Sequence, residues 1–146
     1  MNWLEKIYDD MSKWDAVCVF GSLSPDIKNG KYKLSFFLVN LLYFLGSKTN
    51  VFHNVCAANA AFRKKEFLDI DGFRDLPAGD DVEISVRLRE KGRIFFDPRL
   101  WVIFSVRRIE KLGFLQAAML YLGIGAKMLF GKSDILPKNY AKQIYD

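Results

Sequence analysis

Two adjacent carboxylates, Asp80 and Asp81, follow Gly79 and head the stretch DVEISVRLREKG. Acidic groups in that position have three chemistries open to them. Asp80 can cap a helix, which stabilises it by about 1 kcal/mol, with Asp81 favoured by the positive end of the helix dipole. The pair can bind a divalent metal, although no third hard ligand lies nearby in sequence. One carboxylate can also act as a general base, taking a proton from an acceptor hydroxyl.

Whether they open a helix depends on residues 82–92. Residues 82–88 alternate apolar and polar, which alone suggests a strand. At about 100° per residue, however, Glu83, Arg87, Glu90 and Lys91 gather on one polar arc. Val82, Ile84, Val86 and Leu88 take the other side. Asp80 and Glu83 have the spacing of a capping box, Glu83 and Arg87 are four apart, and Gly92 can stop the run. The pattern predicts a helix in which Glu83 and Arg87 give structural support.

The surrounding chain must position this helix. WLEKIYDDMSKW places Trp3, Leu4, Ile7, Tyr8, Met11 and Trp14 on one helical stripe, with Asn2 as N-cap. DAVCVFGS reads as a buried strand ending at Gly21, and LSPDIKNGKYK as a loop. Residues 34–46 are almost wholly apolar but shorter than the roughly 20 residues that span a bilayer. They fit a core helix or one lying in a membrane interface. NVFHNVCAANAAF resembles a strand running into a turn, and RKKEFLDIDGF a short helix stopped by Gly72. RIFFD and LWVIFSV are strand-like and separated by Pro98. Residues 112–130 are again nearly continuous in apolar residues, with basic residues at both ends. Intermixed helices and strands predict an α/β or mixed α+β class.

Composition narrows the function classes. The 146 residues suit one domain, and 51% hydrophobic content is too apolar for a disordered chain. The 22 Lys and Arg against 17 Asp and Glu give a surplus too small to single out nucleic acid. No basic run alternates with aromatics as in a single-strand groove, so no nucleic-acid partner is expected. Cys18 and Cys56 read as reduced, buried thiols of a cytosolic protein. With no CxxC and a single histidine, His53, a zinc site is not expected. The amphipathic, acidic MNWLEKIYDD is unlike a secretory leader.

The order of the motifs carries more than any one of them. AANAAFRKKEFLDIDGFRD, then GDDVEISVRLREKGRIFFDP, then FSVRRIEKLGF together resemble the second half of family-two glycosyltransferases, which have the GT-A fold. Ala57, Ala58 and Asn59, followed by Ala60 to Arg63, match the small-small-Asn turn of that family. Asp71, Gly72 and Phe73 match its Gly-Gly-Phe, departing at Asp71. Gly79, Asp80 and Asp81 match its Gly-Glu-Asp, departing at Asp80. Ser85, Arg87 and Leu88 match the helix next in that order. The resemblance runs over about residues 2–115.

It implies a partial GT-A-like domain, a mixed sheet flanked by helices. Residues 1–111 would form the acceptor-side half and 112–146 an apolar, amphipathic helical tail. Asp81 would be the catalytic base of an inverting transfer from a nucleotide sugar to an acceptor hydroxyl. Asp80 and Asn59 would orient the acceptor, which would be a glycan or lipid-linked. Arg107 and Arg108 would contact the diphosphate, a task suited to guanidinium groups. Their structural alternative is a pair facing solvent or lipid headgroups.

The nucleotide-binding half of such enzymes, ending in an Asp-x-Asp that holds Mg or Mn, has no counterpart in these residues. A divalent metal is therefore expected in the intact enzyme and none on this fragment, which alone is expected to be inactive. Its open strand edges would invite self-association. The reduced thiols point to a cytoplasmic protein, and the apolar stretches bounded by basic residues to a membrane surface as a possible partner at its cytoplasmic face. The competing reading is a non-catalytic membrane-surface or protein-interaction module that keeps a remnant of the fold.

Overall fold

The computed structural model describes residues 2–49, 55–76, 79–117, 119 and 123. In chain order these form α1 (Trp3–Trp14), β1 (Ala16–Pro25), α2 (Gly30–Thr49), a 3-10 turn (Ala57–Asn59), β2 (Ala60–Phe62), α3 (Lys64–Leu68), α4 (Asp80–Arg89), β3 (Arg93–Phe104) and α5 (Arg107–Leu112). The architecture is mixed α and β: a three-stranded sheet flanked by helices. His53 and most of the 112–130 stretch lie outside the described residues.

The sheet has the order β2-β1-β3, with β2 antiparallel and β3 parallel to the central strand. β1 takes the centre because its run of Ala16, Val17, Cys18, Val19 and Phe20 is apolar at every position, so it can be covered on both faces. On one face lie Phe20, Phe96 and Tyr43, with ring centroids 5.1 to 6.0 Å apart. Leu88 of α4 belongs to the same cluster. On the other face Ile7 of α1 packs with Ala16, Val19 and Leu100. Cys18 and Cys56 are free thiols buried in the first cluster, and burial raises the proton affinity of both.

Asn2 caps α1 in a full capping box: it accepts from Glu5 N–H at 2.9 Å, and its own N–H donates to Glu5 Oε2 at 2.8 Å. The apolar stripe of that helix goes only partly inward. Ile7 is buried and Met11 and Trp14 pack beside it, whereas Leu4 and Tyr8 are 70% and 74% exposed. Asp10, at the border of the apolar stripe, is 4% exposed because a polar site on β3 receives it.

Several elements differ from the sequence expectation. The loop read from residues 23–33 shrinks to 26–29, since β1 runs on to Pro25 and α2 begins at Gly30. The Asn29 side chain accepts from Lys31 N–H at 3.0 Å and starts the helix there. The described part of the segment around Asn59 is a 3-10 turn, as expected, followed by the short strand β2, which is not expected. Residues 50–54, where the preceding strand is expected, lie outside the described residues. RIFFD and LWVIFSV belong to a single strand: Gly21 pairs with Asp97 and Ser22 with Trp101, so Pro98, Arg99 and Leu100 bulge out of the ladder. Pro98 has no N–H to give a ladder, and a bulge accommodates it. Its carbonyl accepts from Ser22 Oγ at 2.8 Å.

The bulge also explains Gly21. A Cβ there would lie 1.7 Å from the Leu100 carbonyl oxygen, so only glycine fits. The apolar 34–46 stretch sits inside the 20-residue α2, which lays Tyr32, Phe36, Tyr43 and Gly46 on the sheet. Asn40 of α2 accepts from Leu23 N–H at 3.0 Å and donates to Leu23 O at 2.8 Å. Among the described residues no helix is long and apolar enough to cross a membrane.

Candidate functional site

Helix α4 carries the acidic pair, and its start differs from the expected cap. The N-cap is Gly79, at φ +78°, a left-handed conformation that glycine adopts without steric cost. Asp80 is therefore the first helical residue and does not cap. Glu83 does not reach back to complete a capping box. It binds Arg87 at 2.5 Å and Arg74 at 3.0 Å.

Arg87 spends its other donors on the preceding loop, bonding Ile70 O and, at 2.8 Å, Gly72 O. Those two carbonyls flank a tight reversal in which Asp71 and Gly72 both have positive φ, +58° and +61°. Glu83 and Arg87 thus hold α4 against the 70–72 turn. Phe62, Phe67 and Phe73 pack around that turn, with centroids 5.4 to 5.7 Å apart.

One turn beyond the acidic pair, Ser85 is fully buried and joins α4 to the 55–57 segment. Its Oγ donates to Asp81 O at 2.5 Å and accepts from Val55 N–H at 3.0 Å. This tie places the Asp81 carboxylate beside Cys56 and Ala57. Asp81 Oδ1 accepts from Val82 N–H at 2.9 Å, and Ala57 N–H is a further donor.

Asp81 is partly buried, and its pKa is raised to about 6, first by burial and then by the negative charge of Asp80. Backbone donors of Val82, Asp81 and Ala57 offset part of this rise. The result is a carboxylate that stays mostly ionised at neutral pH and binds a proton more strongly than an ordinary aspartate. That is the property a general base needs.

Asn59 has a structural task. It is 1% exposed, its Oδ1 accepts from the Trp3 indole at 3.1 Å, and its Nδ2 donates to Ser22 O at 3.0 Å and Leu100 O at 2.8 Å. So it joins α1, β1 and the β3 bulge, and does not present its amide to an incoming acceptor. The physical reason is the bulge, which leaves the Leu100 carbonyl pointing at the one place where Gly21 makes room.

The Ala57–Asn59 turn sits against Ser22 and Leu100, toward the C-terminal ends of the parallel strands β1 and β3. Asp81, beside Ala57, is at that end too. Open α/β sheets bind ligands outside the carboxyl ends of their strands. Arg107 and Arg108 begin α5 directly after β3 and are exposed at the same end. Arg107 Nε donates to Ser105 Oγ at 3.2 Å, and its charge faces Asp26, whose carboxylate accepts from Val106 N–H at 3.0 Å.

An open cleft of about 520 Å³ lies elsewhere, between Ser47, Lys48 and residues 89–93 at the far end of α4. Eight residues of helix, about 12 Å, separate it from Asp81. Among the described residues no group of three or more His, Cys, Asp or Glu could hold a metal ion.

The sequence reading overlooked a second polar cluster, formed by Asp10, Asp97 and Arg99. Its one available signal was Asp10 itself, charged but only three residues from Ile7 on the same helix. Comparison with protein-family models, with curated proteins and with solved structures gives no match for this chain.

Proposed function

We propose that this chain is the acceptor-side, catalytic-base half of an inverting glycosyltransferase, with Asp81 as the base. The observation that carries the reading is the state of Asp81: partly exposed at the start of a helix, beside the carboxyl ends of two parallel strands, with its pKa raised to about 6. Two features support it further. The mixed sheet agrees with what the motif order implies. Asp71, which stands where the family pattern has glycine, takes the positive φ that would call for one.

In the proposed reaction the acceptor hydroxyl lies against Asp81. As its oxygen attacks the anomeric carbon, the proton passes to the Asp81 carboxylate. The bond from that carbon to the nucleotide diphosphate breaks on the opposite face, its electron pair leaving with the phosphate oxygen, and configuration inverts. Asp80 contributes by its charge, which raises the basicity of Asp81, and by orienting the acceptor. Arg107 and Arg108 would meet the charge that develops on the leaving diphosphate. A divalent metal, where bound, would neutralise the same charge. Among the described residues the Asp80 and Asp81 pair has no third donor and does not fit as its site, so no step of the reaction is routed through it.

The decisive experiment joins this chain to a nucleotide-binding half and compares Asp81 with Asp81→Asn over a panel of nucleotide sugars. Nucleotide diphosphate release should fall by about 10²- to 10⁴-fold, the usual contribution of a general base. Undiminished turnover in the variant would remove Asp81 from the mechanism. If no sugar donor supports turnover at all, the non-catalytic reading gains.

A further inference from the structure

Helix α2 turns two different apolar faces outward and inward. Tyr32, Phe36, Val39, Tyr43 and Gly46 lie toward the sheet. On the opposite side Leu34, Phe37, Leu38, Leu41, Phe44 and Leu45 are exposed, and no charged residue interrupts them. Monomeric soluble proteins seldom expose so continuous an apolar stripe without a partner for it.

Charge indicates which partner. At about 100° per residue, Lys31 and Lys48 fall at the two ends of the exposed stripe. Lys48 stands over the Phe44 ring at 5.7 Å, and Lys31 over the rings of Tyr32 and Phe114 at 4.8 and 5.7 Å. Between Asp26 and Glu66 the chain has no acidic residue. The Phe114 contact brings the segment that follows α5 alongside, with exposed Leu115 next to it. At the other end the basic cleft contributes Lys48, Arg89, Lys91 and Arg93, with Glu90 alone opposing them.

We infer that α2 lies along an anionic lipid bilayer surface, its leucine and phenylalanine side chains in the acyl boundary and its terminal lysines at the headgroups. An apolar helix face flanked by cations fits that environment. The rim of a protein interface would carry polar groups of both signs. Lying flat also accords with a helix that is not long and apolar enough to cross. This inference goes beyond the sugar-transfer reading and does not depend on Asp81.

Vesicle flotation of the full chain tests it. The chain should float with phosphatidylglycerol-containing vesicles, weakly with phosphatidylcholine alone, and less at high salt. Phe37→Asp with Leu41→Asp, both at exposed positions, should weaken partitioning about a hundredfold. Lys31→Gln and Lys48→Gln should each cost about fivefold and leave the fold untouched. Circular dichroism confirms that each variant is folded. The inference is overturned if the chain ignores anionic vesicles, or if the double aspartate variant floats as well as the parent. It is also overturned if light scattering shows a dimer that the aspartates dissociate while vesicles bind nothing, since a second copy then covers the face. Asp81→Asn should float unchanged, which keeps this outcome separate from that of the transfer assay.

Discussion

Asp10 of α1 and Asp97 of β3 face each other inside the molecule, 4% and 2% exposed, close enough for a proton on Asp10 to be held toward Asp97. Arg99 closes the pair from the solvent side, 2.9 Å from Asp97 and 3.7 Å from Asp10. Asp10 Oδ2 is buried without a hydrogen-bond partner. Burial and the neighbouring Asp97 raise Asp10 to about 6, against the opposing charges of Arg99 and Lys13. Burial would raise Asp97 as well, but hydrogen bonds from Arg99 and Asp10 outweigh it and hold Asp97 below the ordinary carboxylate value.

These shifts set the pH dependence of stability. The folded chain retains the Asp10 proton to about pH 6, whereas the unfolded chain loses it near 3.8, so stability rises as pH falls between those values. Asp81 contributes with the same sign. Asp97 acts oppositely: its stabilisation is complete above its unfolded value and is lost as pH falls through its lower folded one. Urea unfolding followed by tryptophan fluorescence should therefore show greatest stability between about pH 4 and 6. Asp10→Asn should flatten the rise below neutrality, because the amide keeps a donor toward Asp97 without a charge. A parent whose stability climbs steadily toward pH 8 would contradict this.

Asp81→Asn should separate activity from stability. Removing a carboxylate held above its usual pKa relieves an unfavourable buried charge, so the folded chain should be as stable as the parent at pH 7.5, or more so. In the joined enzyme the acidic limb of kcat/KM should lie near pH 6, following Asp81. A limb near pH 4 would indicate a different base.

Arg87→Ala should cost about 3 kcal/mol, because it leaves Glu83 partly buried without its main partner and frees the carbonyls of Ile70 and Gly72. Arg87→Lys should recover little of this, since an ammonium cannot reach three acceptors in a plane. Chemical denaturation of the two variants measures both effects. Equal stability of the lysine variant and the parent would show that charge alone holds α4.

Asn59→Ala should destabilise by about 2–4 kcal/mol, since it leaves the Leu100 carbonyl and the Trp3 indole without their partner. Gly21→Ala should prevent folding at that same bulge. In the joined enzyme, measuring both stability and acceptor KM for Asn59→Ala separates structure from acceptor binding. A large rise in acceptor KM without loss of stability would return Asn59 to a direct role.

On their own, the 146 residues should show no micromolar binding of any nucleotide sugar by isothermal titration. The groups that would recognise the nucleotide belong to the donor half of such enzymes. Micromolar binding to the isolated chain would place a donor site within these residues.

Local order was legible in the amino-acid sequence where short-range chemistry governs it. Asn2 and Glu5 are three apart and close their capping box within one helical turn. Glu83 and Arg87 meet because positions four apart share a helix face. The apolar run of β1 announced a buried strand for a similar reason, since it has no polar side, whereas its central place in the sheet came from the tertiary structure. Tertiary contacts decided the rest. Leu4 and Tyr8 point outward and Asp10 inward because α1 packs on the sheet with Asp10 turned toward Asp97 and Arg99 of β3. Asn59 turned from candidate ligand to internal tie through carbonyls of Ser22 and Leu100, distant in sequence. The basicity of Asp81 likewise comes from burial against the 55–57 segment, a neighbour that helix periodicity cannot foresee. Bonds within one turn depend on spacing alone, whereas burial and the charges it confines depend on which distant residues the fold brings together.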